Sequence, residues 1–386
     1  MFDLNLKPIR YSDPWIKPLE LRLAALSKGH KRVAYFYERA DNSTFRYRVY
    51  NLVRALSQSQ EISAAYFFGD EIDQLDAVID SADVLVICRS RYTHKLNRLI
   101  THARNKGKAI VFDIDDLVFD LDYVHLILST LDVELNEPAW DWWYAYIGRI
   151  GAVLRMCDRA ITTNEYLACQ VRRYSGKPVS VIPNFLNEEQ IAISREIYAQ
   201  KRTSGFRRNN EIHLGYFSGT PSHNKDFAVV SEALSKLLET DPRVRIRVVG
   251  FLQLKGALQE YASRVEFYPL SDFINLQRLI GEVEVNLAPL QDNVFTNCKS
   301  ELKYFEAAIT GTLTVASPSF TLKRAIRDGE NGFVANAFEW EEKLQEILGK
   351  LYSYPMLAAK ALEHSEQNYS WSTQFKLLES TLFGSV

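Results

Sequence analysis

The stretch IHLGYFSGTPSHNKDFAVVSEAL at residues 212–234 decides the fold, because it joins a short apolar strand to an amphipathic helix through a loop of small residues. Four further apolar strands follow, separated by helical patterns: RIRVVG (245–250), VEFYPL (265–270), VEVNLAPL (283–290) and TLTVAS (312–317). Strands that are apolar throughout are buried on both faces, which is typical of a parallel sheet covered by helices. Residues 211–354 are therefore predicted to form an α/β domain.

The same alternation runs through the first half of the chain. Its apolar strands are RVAYF (32–36), SAAYFF (63–68), DVLVIC (83–88), KAIVFDID (108–115), RAITT (159–163) and VSVIP (179–183). We predict two Rossmann-like, doubly wound α/β domains that face a cleft, over residues 1–186 and 211–354. A polar linker at 187–210 joins them, and helices at 355–386 follow. Ligands of such sheets bind outside the carboxyl ends of the strands, so the cleft is the expected site.

Composition places the chain among ordinary folded proteins. Its 386 residues are 47% hydrophobic and 24% charged, which excludes disordered and collagen-like classes. The net charge of -2 gives no reason to expect nucleic acid. The four cysteines form no C-x-x-C pair, so neither a zinc site nor a disulfide framework is predicted, and a reducing cytoplasm fits. No apolar run approaches the roughly 18 residues that span a bilayer, so we expect a cytoplasmic protein whose contact with the inner face of a membrane is at most peripheral.

The loop between strand and helix in the opening stretch is a candidate phosphate grip. Gly219 and Thr220 let the backbone approach a ligand closely. A helix N-terminus offers unpaired N–H groups and about half a positive charge to an anion, and His223 or Lys225 would add a further donor. The alternative is an ordinary βα turn built from the glycine, proline and asparagine of the same loop.

A second element, DNVFTNCKSELKYFEAAITGTLTVAS, occupies residues 292–317. Its pattern predicts a loop, then a helix from about 297 to 310, then Gly311 as the C-terminal stop, and then a buried strand.

Polar residues of this predicted helix form a second half of the grip. Lys299, Lys303 and Glu306 stand at i, i+4 and i+7 and would share one helical face, while Asn297 and Ser300 sit at its start. A cation in the first turn opposes the helix dipole, which favours an anion opposite Lys299. A solvated stripe of lysine and glutamate is the alternative.

In the first domain, KAIVFDIDDLVFDLD places a cluster of aspartates directly after an apolar strand. Carboxylates crowded at the strand's carboxyl end repel one another, so one of them would keep its proton near neutrality for acid or base work. Asp113, Asp115 and Asp116 are therefore the predicted catalytic neighbourhood, with individual roles unassigned. Metal binding and helix capping are the alternatives.

The loop YERADNSTFRYR, after the first strand, is the candidate acceptor side. Asn42 and Ser43 suit a helix cap, and Arg46 follows in the first turn, where it would meet a phosphate of acceptor or donor. Plain surface charge is the alternative for Arg46.

Two surface features bear on the acceptor. Residues 88–108 carry seven lysines and arginines without an acidic residue, which suits an anionic membrane or a phosphate-bearing acceptor, or simply a solvated helix. WDWWYAYIG at 140–148 could stack on sugars or enter a membrane interface, but aromatics in a helical stretch are expected in the core.

The order of these elements resembles the donor-binding half of GT-B glycosyltransferases, especially the large retaining family called group 1. The resemblance covers most of the chain and is most specific through GYFSGTPSHNKDF, RIRVVG, VEFYPLSDF and KSELKYFEAAITGTLTVAS. It implies that Glu306 binds ribose hydroxyls, and that the tail helix returns to the first domain. The residues it assigns to the diphosphate are Gly219, Thr220 and Lys225, and those whose backbone would meet the base are Phe267 and Tyr268.

The chain departs from the family pattern at two points. The earlier glutamate of E-x7-E is Cys298 here, and the usual G-R before the lysine is replaced by Gly219 and Thr220. These departures leave recognition of the transferred sugar open, with Asn297 and Lys299 as substitutes. Asp113-Ile-Asp115 also matches the D-x-D by which GT-A enzymes hold a cation, but GT-B enzymes generally need no metal, so none is expected.

The resemblance implies a hexosyltransferase-type enzyme without a cofactor. It would move a sugar from a nucleoside-diphosphate donor to a carbohydrate or lipid-linked acceptor, with retention, in the synthesis of bacterial-type surface polysaccharide or another glycan. Two alternatives stay open. The acidic cluster suits a nucleotide-sugar epimerase on the same fold, and Cys298 suits a scaffold that has lost transfer.

Overall fold

Residues 1–384, the part of the chain that this computed structural model describes, contain two six-stranded sheets in which all neighbouring strands run parallel. The first comprises β1 (Lys31–Tyr37), β2 (Ile62–Phe68), β3 (Val84–Cys88), β4 (Ala109–Ile114), β5 (Arg159–Thr162) and β6 (Val179–Val181). The second comprises β7 (Ile212–Ser218), β8 (Val244–Gly250), β9 (Val265–Tyr268), β10 (Val285–Ala288), β11 (Leu313–Ala316) and β12 (Phe333–Val334). The predicted pair of α/β domains is confirmed.

Helices cover both sheets. Those up to the interdomain connection are α1 (Leu19–Leu26), α2 (Asn51–Leu56), α3 (Asp76–Ser81), α4 (His94–Asn105), α5 (Val124–Thr130), α6 (Glu137–Met156), α7 (Glu165–Ser175) and α8 (Glu188–Thr203). Those beyond it are α9 (Asn224–Thr240), α10 (Phe273–Glu282), α11 (Val294–Asn297), α12 (Leu302–Ala308), α13 (Leu322–Ala325), α14 (Trp340–Gly349), α15 (Tyr354–Tyr369) and α16 (Trp371–Phe383). A π-helical turn, Arg46–Tyr50, leads into α2.

Strand order locates the crevices. The first sheet runs β2-β1-β3-β4-β5-β6, and the second runs β12-β11-β10-β7-β8-β9. The chain therefore reverses its direction of winding between β1 and β3, and again between β7 and β10. Ligands of doubly wound sheets bind beyond the strand ends at such switch points. The loops after β1, β3, β7 and β10 therefore border the expected ligand sites.

Three predicted boundaries need correction: those of the linker, of the start of the first domain and of the C-terminal helices. Most of the linker at 187–210 is the helix α8, which packs on α10 and is capped by the side chain of Asn187. The first domain does not include the chain start, because Phe2 is buried in the core of the second domain beside Ile212 and Tyr354.

The C-terminal helices divide between the domains. α15 packs on the second domain, where Ser365 Oγ donates a hydrogen bond to the carbonyl oxygen of Phe305. α16 packs on α2, and Leu378 and Leu382 enter the core of the first domain. Only the last helix makes the return that we expected of the whole segment 355–386, whose final two residues lie outside the described residues.

None of the helices within residues 1–384 combines the length and the apolar character needed to cross a membrane.

Candidate active site

The loops at the carboxyl ends of the two sheets contact each other. Asn184, after β6, donates from Nδ2 to Ser300 Oγ at 2.9 Å, and Asn164, after β5, donates from Nδ2 to the carbonyl oxygen of Cys298 at 2.8 Å. The turn between α11 and α12 is thereby held against the first domain. Ser300, predicted to bind the donor, makes an interdomain contact. The Cys298 thiol is buried.

The predicted helix from 297 to 310 is shorter in the structure: α11 ends at Asn297, and α12 begins only at Leu302. The Lys299 carbonyl accepts a hydrogen bond from Thr321 Oγ1 at 2.8 Å, outside any helical ladder. Asn297 is also engaged, because its Oδ1 accepts from the Phe320 N–H at 2.7 Å. The shared helical face predicted for three residues therefore reduces to Lys303 and Glu306. Gly311 ends the element with φ 66°, as predicted.

Three basic groups meet beside the N-terminus of α9. Burial lowers the pKa of His223, and the nearby ammonium groups of Lys299 and Lys303 lower it further against a hydrogen bond to Asp226. That bond joins His223 Nδ1 to Asp226 Oδ2 at 3.0 Å. Two ammonium groups, those of Lys299 and Lys303, therefore lie at the place where the helix dipole adds positive potential.

Lys303 is the member of this cluster that makes no direct contact with a carboxylate, although the charges of Asp226 and Glu306 act to raise its pKa. Its Nζ lies 4.6 Å from the centroid of the Tyr216 ring, and burial lowers its pKa to about 8. Within residues 1–384 we find no hydrogen bond or ion pair of this ammonium group. Burying an ammonium group that makes no direct ion pair is costly to the folded protein, and an anionic ligand in contact with it would lower that cost.

The adjoining loop is open. Gly219 and Thr220 are exposed, and a Cβ placed at Gly219 would meet no atom of residues 1–384 within 4 Å. Lys225 requires a correction: its Nζ donates to the carbonyl oxygen of Ser129 on α5 at 2.8 Å. It ties α9 to the first domain rather than facing the loop.

Glu306 is held by the first domain. Its Oε1 accepts a hydrogen bond from Arg46 Nη2 at 3.1 Å and another from the Tyr47 hydroxyl. Arg46 was predicted to meet a phosphate, and here it meets this carboxylate. Oε2 of Glu306 has no hydrogen bond in the described part of the chain, so it can still accept one from a ribose hydroxyl.

The three candidate catalytic aspartates do not crowd together, because each has its own cation. Asp113 is fully buried and accepts two hydrogen bonds from Arg48, at 2.8 and 2.9 Å, while burial raises its pKa. Asp115 accepts from Arg89 Nη1 at 3.1 Å, and Asp116 lies 3.6 Å from Lys299 Nζ. Asp113 is therefore out of reach of a substrate.

The pairing of these aspartates with cations also bears on the alternative that the cluster binds a metal ion. Residues 1–384 contain no group of three or more His, Cys, Asp or Glu side chains arranged to hold a metal ion. The two carboxylates of the D-x-D string, Asp113 and Asp115, bind different arginines, so this arrangement offers no shared cation site.

Arg89 is a site residue that the sequence analysis did not select. It directly follows β3 and has a φ of 33°, which is strained for a residue with a side chain. Its Nη1 donates to Thr44 Oγ1 at 3.0 Å as well as to Asp115. Its position immediately after an apolar strand was the available signal, and the same signal had drawn attention to Asp113.

The helical turn after β1 is capped by Asp41, which precedes the predicted capping residues Asn42 and Ser43. Asp41 Oδ1 accepts from the N–H groups of Ser43 and Phe45, at 2.8 and 3.1 Å. Asn42 and Ser43 themselves are exposed, and their role toward an acceptor stays a prediction.

Apolar residues line the other end of the cleft, near the ends of β8 and β9. Phe267 lies on the edge strand β9 and is 52% exposed, and the Tyr268 ring lies 4.8 Å from the Arg247 guanidinium. Phe251 and Leu270, which the sequence analysis did not select, are also exposed there. Such a surface suits a nucleobase.

Comparison with known families agrees with this geometry. Residues 211–353, which include the basic cluster and Glu306, match the family model of glycosyl transferases group 1. The chain carries a group 1 glycosyl transferase domain on a GT-B fold. No curated protein sequence is significantly similar to the chain.

Solved structures support the GT-B fold over both domains. HepE from Anabaena aligns with a TM-score of 0.59 at 14% identity, over 92% of this chain and 99% of HepE. A glycosyltransferase from Rickettsia africae aligns with a TM-score of 0.60 at 12% identity, over 92% and 99%. Sucrose-phosphate synthase from Thermosynechococcus elongatus gives 0.60 at 14% identity, over 90% and 97%. At these identities the likeness concerns the fold.

The predicted donor-binding residues of the group 1 domain thus fall into two sets. His223, Lys299 and Lys303 lie together beside the exposed loop of Gly219 and Thr220. The others make contacts of another kind in this structure: Lys225, Asn297 and Ser300 hold parts of the protein together, Glu306 is shared with the first domain, and Phe267 and Tyr268 lie at the sheet edge.

Proposed function

We propose that the protein transfers a sugar from a nucleoside-diphosphate sugar to a glycan or lipid-linked acceptor. The observation that carries the proposal is the cluster of His223, Lys299 and Lys303 at the N-terminus of α9, in which Lys303 makes no direct contact with a carboxylate of the described residues. A diphosphate has the charge to complete this cluster. Its position at the switch point of the second sheet is where a nucleotide is expected.

A uridine nucleotide is the donor class that we propose to test first. HepE from Anabaena, which shares the fold, has been solved with UDP-glucose, and also with UDP and glucose. In this chain, the exposed Phe251, Phe267 and Leu270 would pack against the base. The free Oε2 of Glu306 would accept a hydrogen bond from the ribose.

Catalysis would rest on stabilising the leaving group. Lys303 and Lys299 would offset the charge that develops on the diphosphate as the bond to the sugar breaks, and the dipole of α9 would add to this. The contact of Lys299 with Asp116 is long, at 3.6 Å, so the lysine can turn to a phosphate at little cost. Asp116 would then be a free carboxylate at the cleft, available to the acceptor hydroxyl.

Retention of anomeric configuration and a role in glycan synthesis complete the proposal and rest on the resemblance to group 1 enzymes. The structure gives the epimerase alternative less support than the sequence did, because Asp113 and Asp115, two of the three carboxylates that suggested it, are each paired with an arginine.

The decisive experiment measures thermal unfolding with UDP-, GDP-, dTDP- and CMP-sugars. A ligand at 100 times its Kd should stabilise the protein by about 2.7 kcal/mol. Lys303→Met should abolish the shift, whereas the matched control Lys236→Met, at the exposed far end of α9, should keep it. Absence of any shift in the wild type would refute donor binding. A shift without transfer to any acceptor tested would favour the scaffold.

A further inference from the structure

Three aromatic rings of α6 pack against one another on the outside of the first domain. We call Trp142, Trp143 and Tyr146 the α6 platform. The rings of Trp142 and Tyr146 stack with centroids 4.9 Å apart and planes 7° apart, and Trp143 stands edge-on to both. The sequence analysis expected these aromatics in the core, and that expectation was wrong for Trp142, which is 51% exposed, whereas Trp143 and Tyr146 are partly buried against the core.

The physical reason lies in how α6 is anchored. Its fully buried residues are all in its second half, from Ile147 to Leu154, so the core covers the first turns only in part. An Asn136 cap and a proline in the first turn stabilise these turns locally. Trp143 and Tyr146 are thus only partly buried against the core, and Trp142 packs on these two rings with its outer side in solvent.

The platform continues into the wall of the cleft. The Arg91 guanidinium lies 5.9 Å from the centroid of the Tyr146 ring and is paired with Glu38, in the loop after β1. The Tyr92 N–H donates to the Arg149 carbonyl of α6 at 3.0 Å. The loops after β1 and β3 flank the switch point of the first sheet, so the platform adjoins the side of the cleft that contains Asp115.

The charges around the platform favour a neutral ligand. Exposed Glu137 and Asp141 lie in the first turns of α6 itself. The basic stretch 88–108, which suggested an anionic membrane, is largely neutralised, since Lys95 pairs with Asp73 and Arg91 with Glu38. An anionic lipid surface would meet acidic side chains here. Stacked rings with nearby carboxylates instead suit a sugar, whose C–H faces pack on rings while its hydroxyls donate to carboxylates.

We infer that the α6 platform binds a neutral oligosaccharide acceptor, holding the sugar units behind the hydroxyl that attacks. The inference rests on the proposed function, since it gives the acceptor of that same cleft a chemical class. The platform residues are positioning residues. Their loss should weaken acceptor binding and leave the donor site unchanged.

The experiment compares wild type with the double variant Trp142→Ala/Tyr146→Ala. The probes are hexasaccharides of α-linked glucose, β-linked glucose, mannose and N-acetylglucosamine, measured by calorimetry. Phe338→Ala/Tyr352→Ala is the matched control, since both residues are exposed aromatics of the second domain. UDP-glucose thermal shifts and circular dichroism are recorded for all three proteins.

We expect at least one hexasaccharide to bind the wild type and the control equally. Binding to the platform variant should be about tenfold weaker, the loss of two stacking rings, with the UDP-glucose shift unchanged. Failure of every hexasaccharide to bind, or equal binding to all three proteins, would overturn the inference. So would binding of the wild type to vesicles of phosphatidylcholine and phosphatidylglycerol that the platform variant loses, without any glycan binding. Absence of every nucleotide-sugar shift, with platform-dependent glycan binding intact, would instead count against the proposed function.

Discussion

Arg46 of the first domain and Glu306 of the second form an ion pair of 3.1 Å across the cleft, with both side chains less than one tenth exposed. The guanidinium also lies 4.2 Å from the Tyr47 ring, and its Nη1 is buried without a hydrogen-bond partner in the described residues. The carboxylate that should receive the ribose is therefore also a contact that holds the domains together. Glu306 would therefore serve both the binding of the donor and the arrangement of the two domains.

This pair predicts two separable effects at Glu306. Glu306→Gln should raise the donor KM with little change in stability, because an amide oxygen can still accept from Arg46 and Tyr47. Glu306→Ala leaves a buried guanidinium without its counter-ion and should lower the free energy of unfolding by about 3–5 kcal/mol. Urea unfolding together with donor kinetics checks both effects.

The double variant Arg46→Met/Glu306→Ala is the control for the buried charge. It should be more stable than Glu306→Ala alone, since no charge is left unpaired. If the two losses simply add, the ion pair is not the reason for the destabilisation.

The contacts of the aspartates predict that Asp113 contributes to stability and Asp116 to catalysis. Asp113→Asn should destabilise the protein by about 3–5 kcal/mol, since Arg48 is fully buried against it. Asp116→Asn should change the unfolding temperature much less, because Asp116 makes only a 3.6 Å contact with Lys299, and should lower kcat. Calorimetry and steady-state turnover on the same preparations test this. Unaltered kcat in Asp116→Asn would remove Asp116 from the reaction.

The sequence predicted the sheets well because the signal of a buried parallel strand is local. KAIVFDID covers β4, and TLTVAS covers β11, each within a residue or two. Gly311 was also predictable, since a helix stop needs only its own backbone conformation. The candidate phosphate loop with His223 followed from the same local pattern, and Lys303 followed from its helical spacing to Glu306.

What the sequence did not predict depends on the placement of the two domains. Arg46 and Glu306 are 260 positions apart, and no spacing rule connects them. Lys225 and Ser129 likewise meet only because α9 faces α5. The helical period of α6 was correctly predicted, but period alone does not tell which part of a helix has a neighbour, so Trp142 was placed in the core.

Lys201 predicts how stability changes with pH. Its side chain is fully buried, its Nζ donates to Thr312 Oγ1 at 3.0 Å, and burial lowers its pKa to about 7 against the opposing charge of Glu284. In the unfolded chain a lysine titrates near about 10.4. Between these values the unfolded state binds a proton that the folded state lacks, so stability should rise with pH from about 7 to about 10.

Lys201→Met isolates this contribution. Urea midpoints across that pH range should rise less steeply in the variant than in the wild type, and the variant should gain most at the acidic end. Parallel midpoint curves for the two proteins would show that the Lys201 amine stays charged when folded.

Lys303 should set the pH dependence of donor binding. Its pKa of about 8 means that the free protein loses this positive charge as the pH rises through that value. A neutral amine cannot offset the charge of the diphosphate, so the donor Kd should rise above pH 8 and stay level well below it. Lys303→Arg keeps its charge at all these pH values, so its Kd should not rise there. Calorimetry with UDP-glucose from about pH 6.5 to about pH 9.5 measures this. Equal pH dependence in wild type and Lys303→Arg would assign the titration to another group, with His223 excluded because burial lowers its pKa rather than raising it toward 8.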